Sequence, residues 1–239
     1  MTDTDLPVFT GWPADATAFL AELADDNTRG FWTDNVHRYR TALLEPTRAL
    51  AVALTEEFGP PRVFRPHIDR RYRPNADPYR TDTGITVSGP GGTPYTAVLS
   101  VPGLAVQIGY QVFDPGQLRR YRDAVDGPAG EALEEVLGAL RRDDLVPGEV
   151  PMLARRPRGV PADHPRLTLL RLRGLHVDRD WPTGEWLGTA EPLDRVATAW
   201  RAARPLADWL DAHVGPRDEP ITAVRRPPDA TGEEQSKAS

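Results

Sequence analysis

The sequence predicts an α+β chain with helices at its N-terminal end, an antiparallel sheet in the middle and helices at its C-terminal end. Apolar residues recur at helical spacing in two long blocks, one before residue 59 and one after residue 114. Between them lie short segments of period-two alternation joined by tight turns, the pattern of neighbouring antiparallel strands. No linker interrupts residues 8–215, so the 239 residues are read as one domain flanked by a disordered start, 1–7, and a disordered tail, 216–239.

Taken in order, DATAFLAELADDN carries Phe19, Leu20 and Leu23 on one helical face, with Asp15 as the expected N-cap. Asn27 is the expected cap of a second helix that turns Phe31, Trp32, Val36, Tyr39 and Leu43 inward. Pro46 denies the carbonyl of Ala42 its donor and predicts a kink, after which Leu50, Leu54 and Phe58 continue the stripe to Gly59. Strands follow at 64–72, GITVSG, YTAVLSV and LAVQIGYQV. The link SGPGGTP, 88–94, is rich in glycine but has neither the Lys and Ser/Thr of a phosphate loop nor a helix after it, so it reads as a hairpin connection.

Asp114-Pro115 starts a helix through GQLRRYRDAV, and PAGEALEEVLGALRR makes another with Leu133, Val136, Leu137 and Leu140 inward. A proline-rich crossing, 146–166, leads to LTLLRLRGLHV, a buried helical turn or strand, and then to a loop at 178–188 bearing Trp181 and Trp186. A final helix from Glu191 carries Leu193, Val196, Trp200, Ala203, Leu206, Leu210 and Val214, with Pro205 inside it.

Composition excludes several classes of function. There is no cysteine, so disulfides, thiolate nucleophiles and Cys-ligated metals are absent. The net charge of −6, from 29 basic and 35 acidic residues, argues against nucleic-acid binding as the main task. The acidic start MTDTDLPVF is unlike a signal peptide and no run has membrane-spanning length, so a cytoplasmic protein that binds no membrane is expected. H-E-x-x-H, G-x-S-x-G and G-x-G-x-x-G are all missing.

Polar chemistry concentrates at 65–81, RPHIDRRYRPNADPYRT, with five arginines, two aspartates and two tyrosines in seventeen residues. Read as a strand, it puts Phe64, Pro66, Ile68 and Tyr72 on one face and Arg65, His67, Asp69 and Arg71 on the other, with Arg70 out of pattern. Asn75, Asp77 and Pro78 supply turn chemistry that returns Tyr79 and Arg80 towards the charged face.

This stretch resembles the signature R-x-x-R-D-x-R-F-x-x-x-K-x-P-Y of the domain of unknown function 2461 family, found in bacteria and fungi. Arg65, Asp69, Arg71, Pro78 and Tyr79 match it, Tyr72 stands for the family's Phe, and Ile68 and Ala76 stand where the family has cations. Arg70, Arg73 and Arg80 can restore charge only with different geometry. The similarity runs from about Phe9 to Val214 through FLAEL, Asn27, Phe31-Trp32, Tyr39, Pro46, QIGY, Arg122, PRGVPADHP and PLADWL. It implies no known activity.

Three readings of the stretch stand side by side. In the first, Arg65, Arg71, Tyr79 and Arg80 hold an anionic small molecule, because guanidinium forks match carboxylate and phosphate. Asp69 and His164, the latter in the shared PADHP segment, are then the candidate catalytic residues. In the second the motif is a scaffold, with Asp69 and Arg71 a buried ion pair that sets the turn into Tyr79. The third, docking of a protein partner through the helices or the tail, has no particular residue behind it. His67-x-Asp69 and His176-x-Asp178, with His164, imitate a two-histidine, one-carboxylate iron site. Pairs of this spacing arise by chance in an aspartate-rich chain, so neither a metal nor another cofactor is expected. His37 and His213 read as surface or packing residues.

Overall fold

The computed structural model describes residues 7–69, 71 and 75–218. The N-terminal block forms α1 (Asp15–Asp25), α2 (Arg29–Arg38) and α3 (Glu45–Phe58), with a π-helical turn, Tyr39–Leu44, between the last two. That turn is how the chain absorbs Pro46. With no N–H at position 46, the ladder shifts register just before it, and Glu45 N–H donates to the carbonyl of Arg40, five residues back. Neither expected cap is the real one. Ala14 occupies the N-cap of α1 while Asp15 pairs with Arg38 at 2.6 Å, and the hydroxyl of Thr28, not Asn27, accepts from Phe31 N–H to cap α2. Val36, expected inside, is 44% exposed.

The sheet has six antiparallel strands in the order β1-β2-β3-β4-β6-β5: β1 (Arg62–Val63), β2 (Asp82–Ser88), β3 (Pro94–Ser100), β4 (Gly103–Tyr110), β5 (Val146–Pro147) and β6 (Leu175–Pro182). Ile85, Val87, Tyr95, Ala97, Leu99, Leu104, Val106, Ile108 and Val177 alternate onto one face and are buried. The core lies between that face and the helices; Trp200, fully buried, meets the rings of Phe58 and Tyr95 edge-on at 5.1 and 5.7 Å. The opposite face carries Thr86, Thr96, Ala105, Gln107 and Asp178, all half-buried.

Beyond the sheet, α4 (Pro115–Asp126) and α5 (Ala129–Leu140) form as expected, and Asp114 makes a full capping box with Gln117. The segment 167–177 divides into a short helix, α6 (Leu167–Arg171), and the first residues of β6. β6 continues to Pro182, so the loop expected from 178 begins five residues later than its charged residues suggested. The final helix is two, α7 (Glu191–Ala202) and α8 (Arg204–His213), because Pro205 cannot donate to the carbonyl of Arg201 and instead takes a first-turn position in α8.

Residues 216–218, expected to begin a tail, are bonded to α4. Arg120 donates to the carbonyls of Val214 and Pro216 and pairs with Asp218 at 2.9 Å, while Asp218 N–H donates to Asp114. The rest of the expected tail and the expected disordered start lie, apart from Pro7, outside the described residues. No helix among the described residues is long and apolar enough to cross a membrane.

Candidate functional site

The described residues of the signature stretch form no regular strand. Prolines at 60, 61 and 66 flank β1 and limit it to two residues, since each proline removes a ladder donor. Pairing then continues only in pieces. Phe64 N–H donates to Gly84, Ile68 N–H to Pro78 and Arg80 N–H to Pro66, with one bridge between His67 and Tyr79. The predicted alternation nevertheless persists without the strand: Phe64, Pro66 and Ile68 are half-buried, and Arg65, His67 and Asp69 are exposed. Arg70, Tyr72 and Arg73 lie outside the described residues.

One side chain from a different element holds this irregular hairpin in place. The amide of Asn27 donates to the carbonyl of Tyr79 at 2.9 Å and its oxygen accepts from Tyr79 N–H at 3.0 Å, so it pairs with that residue as a neighbouring strand would. The buried Tyr79 ring stacks on Trp32 of α2, with centroids 4.3 Å apart and planes 7° from parallel. His67 packs against both rings at 5.0 and 5.6 Å, and Tyr39, first residue of the π turn, closes the cluster at 4.8 Å from Trp32. Tyr79 is thus an anchor, its ring committed to the α2 contact.

The charges sort differently from either expectation. Asp69 and Arg71 do pair, through contacts of 2.6 to 3.1 Å, but on the surface, where Arg71 is 79% and Asp69 48% exposed. A buried pair that sets the turn is therefore ruled out, because both groups keep their water. The side chain and backbone N–H of Arg71 hold the Asp69 carboxyl down to about 2. Arg80 forms a second fork, on Asp82 at 2.6 and 2.9 Å, with its guanidinium over the Phe64 ring. Arg65 is exposed and, among the described residues, has neither an ion pair nor a hydrogen bond from its side chain.

His164 does not join this group. Its Nδ1 accepts from Arg166 N–H at 3.1 Å and its Nε2 lies 3.2 Å from Asp126, so both nitrogens are spent joining the 146–166 crossing to the end of α4. Arg166 completes that joint by donating to the carbonyls of Val125, Asp126 and Gly127.

A family model described as a conserved hypothetical protein, DUF2461, matches residues 15–209. The chain belongs to the DUF2461 family. No curated protein and no solved structure matches it.

The DUF2461 match spans all four elements that build the hairpin's surroundings, α1 to α3 and β2. Asn27, Trp32 and Tyr39 were visible in the sequence as a cap, a core stripe and positions shared with the family; their role in holding position 79 has no local signal, since Asn27 and Tyr79 are 52 residues apart.

The second H-x-D pair of this DUF2461 chain does form. His176 Nε2 lies 3.2 Å from Asp178, whose other oxygen accepts from Gln107 at 3.2 Å, and Gln107 in turn accepts from Gln111 at 2.9 Å. His176 is 2% exposed, and a Cβ on Gly148 would come within 2.0 Å of its Nε2, so only glycine fits there. Among the described residues no third histidine or carboxylate joins the pair, and no group of three metal-ligating side chains occurs. The SGPGGTP link is a hairpin, and its backbone N–H groups do hold an anion: the carboxylate of Asp211, which accepts from Gly91 N–H and Thr93 N–H at 2.9 Å and from the Thr93 hydroxyl at 2.6 Å.

Proposed function

We propose that this DUF2461 chain binds a small anionic molecule at the 65–80 hairpin, with Arg65 as the residue that meets the anion. The observation that carries this reading is the contrast among the signature cations. Arg71 and Arg80 are engaged by Asp69 and Asp82, whereas Arg65 stands exposed with no acid beside it among the described residues. Its neighbour on the same side, His67, rests against Trp32 and Tyr79 and offers a second donor beside an aromatic surface. The four-residue clamp read from the sequence, Arg65, Arg71, Tyr79 and Arg80, thereby reduces to one cation on a framework supplied by the other three. Asp69 serves in that framework by holding Arg71. His164 serves elsewhere, so the reading is of binding rather than of acid–base catalysis.

A thermal-shift screen of phosphates, nucleotides and organic acids against wild type and Arg65→Ala tests this. A ligand at a hundred times its dissociation constant stabilises the wild type by about 2.7 kcal/mol. Arg65→Ala should melt where the wild type does, having lost no partner, and should respond to that ligand weakly. If no anion shifts the wild type, or Arg65→Ala responds equally, the hairpin is scaffold only.

A further inference from the structure

The last two turns of α5 and the break between α7 and α8 border a cleft of about 340 Å³, within the size range of small-molecule sites. Its walls are apolar: Val136, Ala139 and Leu140 of α5, Ala202 at the end of α7 and Pro205 at the start of α8. Val136, expected to face the core, is only half-buried, because it borders this space.

Two carboxylates stand among those walls, Glu135 of α5 and Asp143 of the short turn, Arg141–Asp143, that follows it. Both residues are exposed, and among the described residues neither side chain has an ion pair or a hydrogen bond. The arginines of the adjoining segments are engaged elsewhere. Arg179 donates to the carbonyl of Asp143 at 2.9 Å and pairs with Asp144 at 3.4 Å, while Arg201 and Arg204 both pair with Glu57 at 2.6 Å. Arg141 and Arg142 are not among the residues that line the cleft.

The ends of α5 and α7 add to this negative character. A helix C-terminus carries about half a negative charge. The last turn of α5 holds no basic residue, and that of α7 holds Arg201, already committed to Glu57. Glu135 and Asp143 are separated along the chain by more than one helical turn, on the order of 10 Å, so a ligand that meets both needs a positive charge at each end. The apolar walls between them suit a hydrocarbon middle and give nothing to a compact metal ion, which would seek oxygen ligands.

We propose that this cleft binds a linear aliphatic diamine or polyamine, its methylenes against Val136, Ala139, Ala202 and Pro205 and its ammonium groups meeting Glu135 and Asp143. The site is independent of Arg65 and selects the opposite charge.

The experiment is equilibrium dialysis of the whole chain against radiolabelled spermidine at constant ionic strength and pH 7.5. The wild type and Arg65→Ala should retain spermidine saturably, with one site per chain and equal affinity. Glu135→Gln and Asp143→Asn should each weaken binding by roughly 2–5-fold, the range of single exposed ion pairs, and the double variant by about tenfold. Both residues are exposed and unpaired, so these variants should melt where the wild type does. Ala139→Phe, which narrows the cleft without altering charge, should weaken binding too. Unlabelled 1,5-diaminopentane should displace spermidine, whereas magnesium chloride at equal ionic strength should not. The proposal is overturned if the wild type retains no spermidine, if the double variant binds as the wild type does, or if magnesium displaces the amine as well as the diamine does. Retention of a capped Lys-Leu-Lys tripeptide without retention of spermidine would also overturn it, assigning the cleft to a protein segment.

Discussion

At the scale of single residues, the Asp69–Arg71 pair shows how little a short distance says about stability. Four contacts of 2.6 to 3.1 Å join the two, including one from the Arg71 backbone, yet both side chains face water. An exposed pair is screened and contributes little, so Asp69→Ala and Arg71→Ala should each leave the melting temperature nearly unchanged at pH 7. What the pair does govern is protonation. A carboxyl lowered from 3.8 to about 2 keeps its pairing contribution above its ordinary titration range and loses it as pH falls through about 2. Carboxyl-detected NMR should therefore find Asp69 titrating near 2 in the wild type and higher in Arg71→Ala, but still below 3.8, because alanine keeps the backbone N–H that also lowers it. A wild-type midpoint near the ordinary value would mean that the pair does not form in solution.

Among elements, the 88–94 hairpin link illustrates a loop whose chemistry is used up internally. Its glycines leave backbone N–H groups pointing together, an arrangement that binds anions in other proteins, and here Asp211 of α8 fills it. Thr93, which contributes two of the three donors, is fully buried, so removing the carboxylate strands those donors away from water. Asp211→Ala should cost on the order of 2–3 kcal/mol, given the strength of hydrogen bonds to charged groups, measured by urea unfolding. A cost near zero would show that water replaces the carboxylate without penalty. The same scale explains the helix boundaries. Pro46 and Pro205 each had to be accommodated, but one produced a π turn and a continuous helical run, and the other a break between α7 and α8. Proline dictates that the ladder must be interrupted; packing on either side decides how.

For the whole molecule, the C-terminal segment after α8 acts as a fastener between the last helix and the start of α4. Gly215 carbonyl accepts from Tyr110 and Gln117, Arg217 donates to Val112, and Asp218 meets both Arg120 and Asp114. A chain ended after Val214 should be less stable than one ended after Asp218 by about 2–4 kcal/mol, counting roughly 1 kcal/mol for each of the three half-buried bonds, those of Tyr110, Gln117 and Arg217. Chemical denaturation of the two truncated chains decides it, and equal stability would show that the fastener is ornamental.

The α+β class, the order of its main elements, the family and the residues of the central strands were legible in the sequence because each rests on local periodicity or a contiguous motif. Side-chain alternation at 64–69 was legible too, and it outlasted the loss of the strand that suggested it. Tertiary structure alone decided which of those residues have partners. Asn27 reads as a cap until Tyr79 arrives from 52 residues away, and His164 reads as an acid–base residue until Asp126 and Arg166 take its two nitrogens. The buried Nη2 of Arg122 likewise depends on how α6 lands on α4. Local sequence governs backbone preference and which face a residue occupies, whereas desolvation and charge pairing depend on neighbours that the chain supplies only after it has folded.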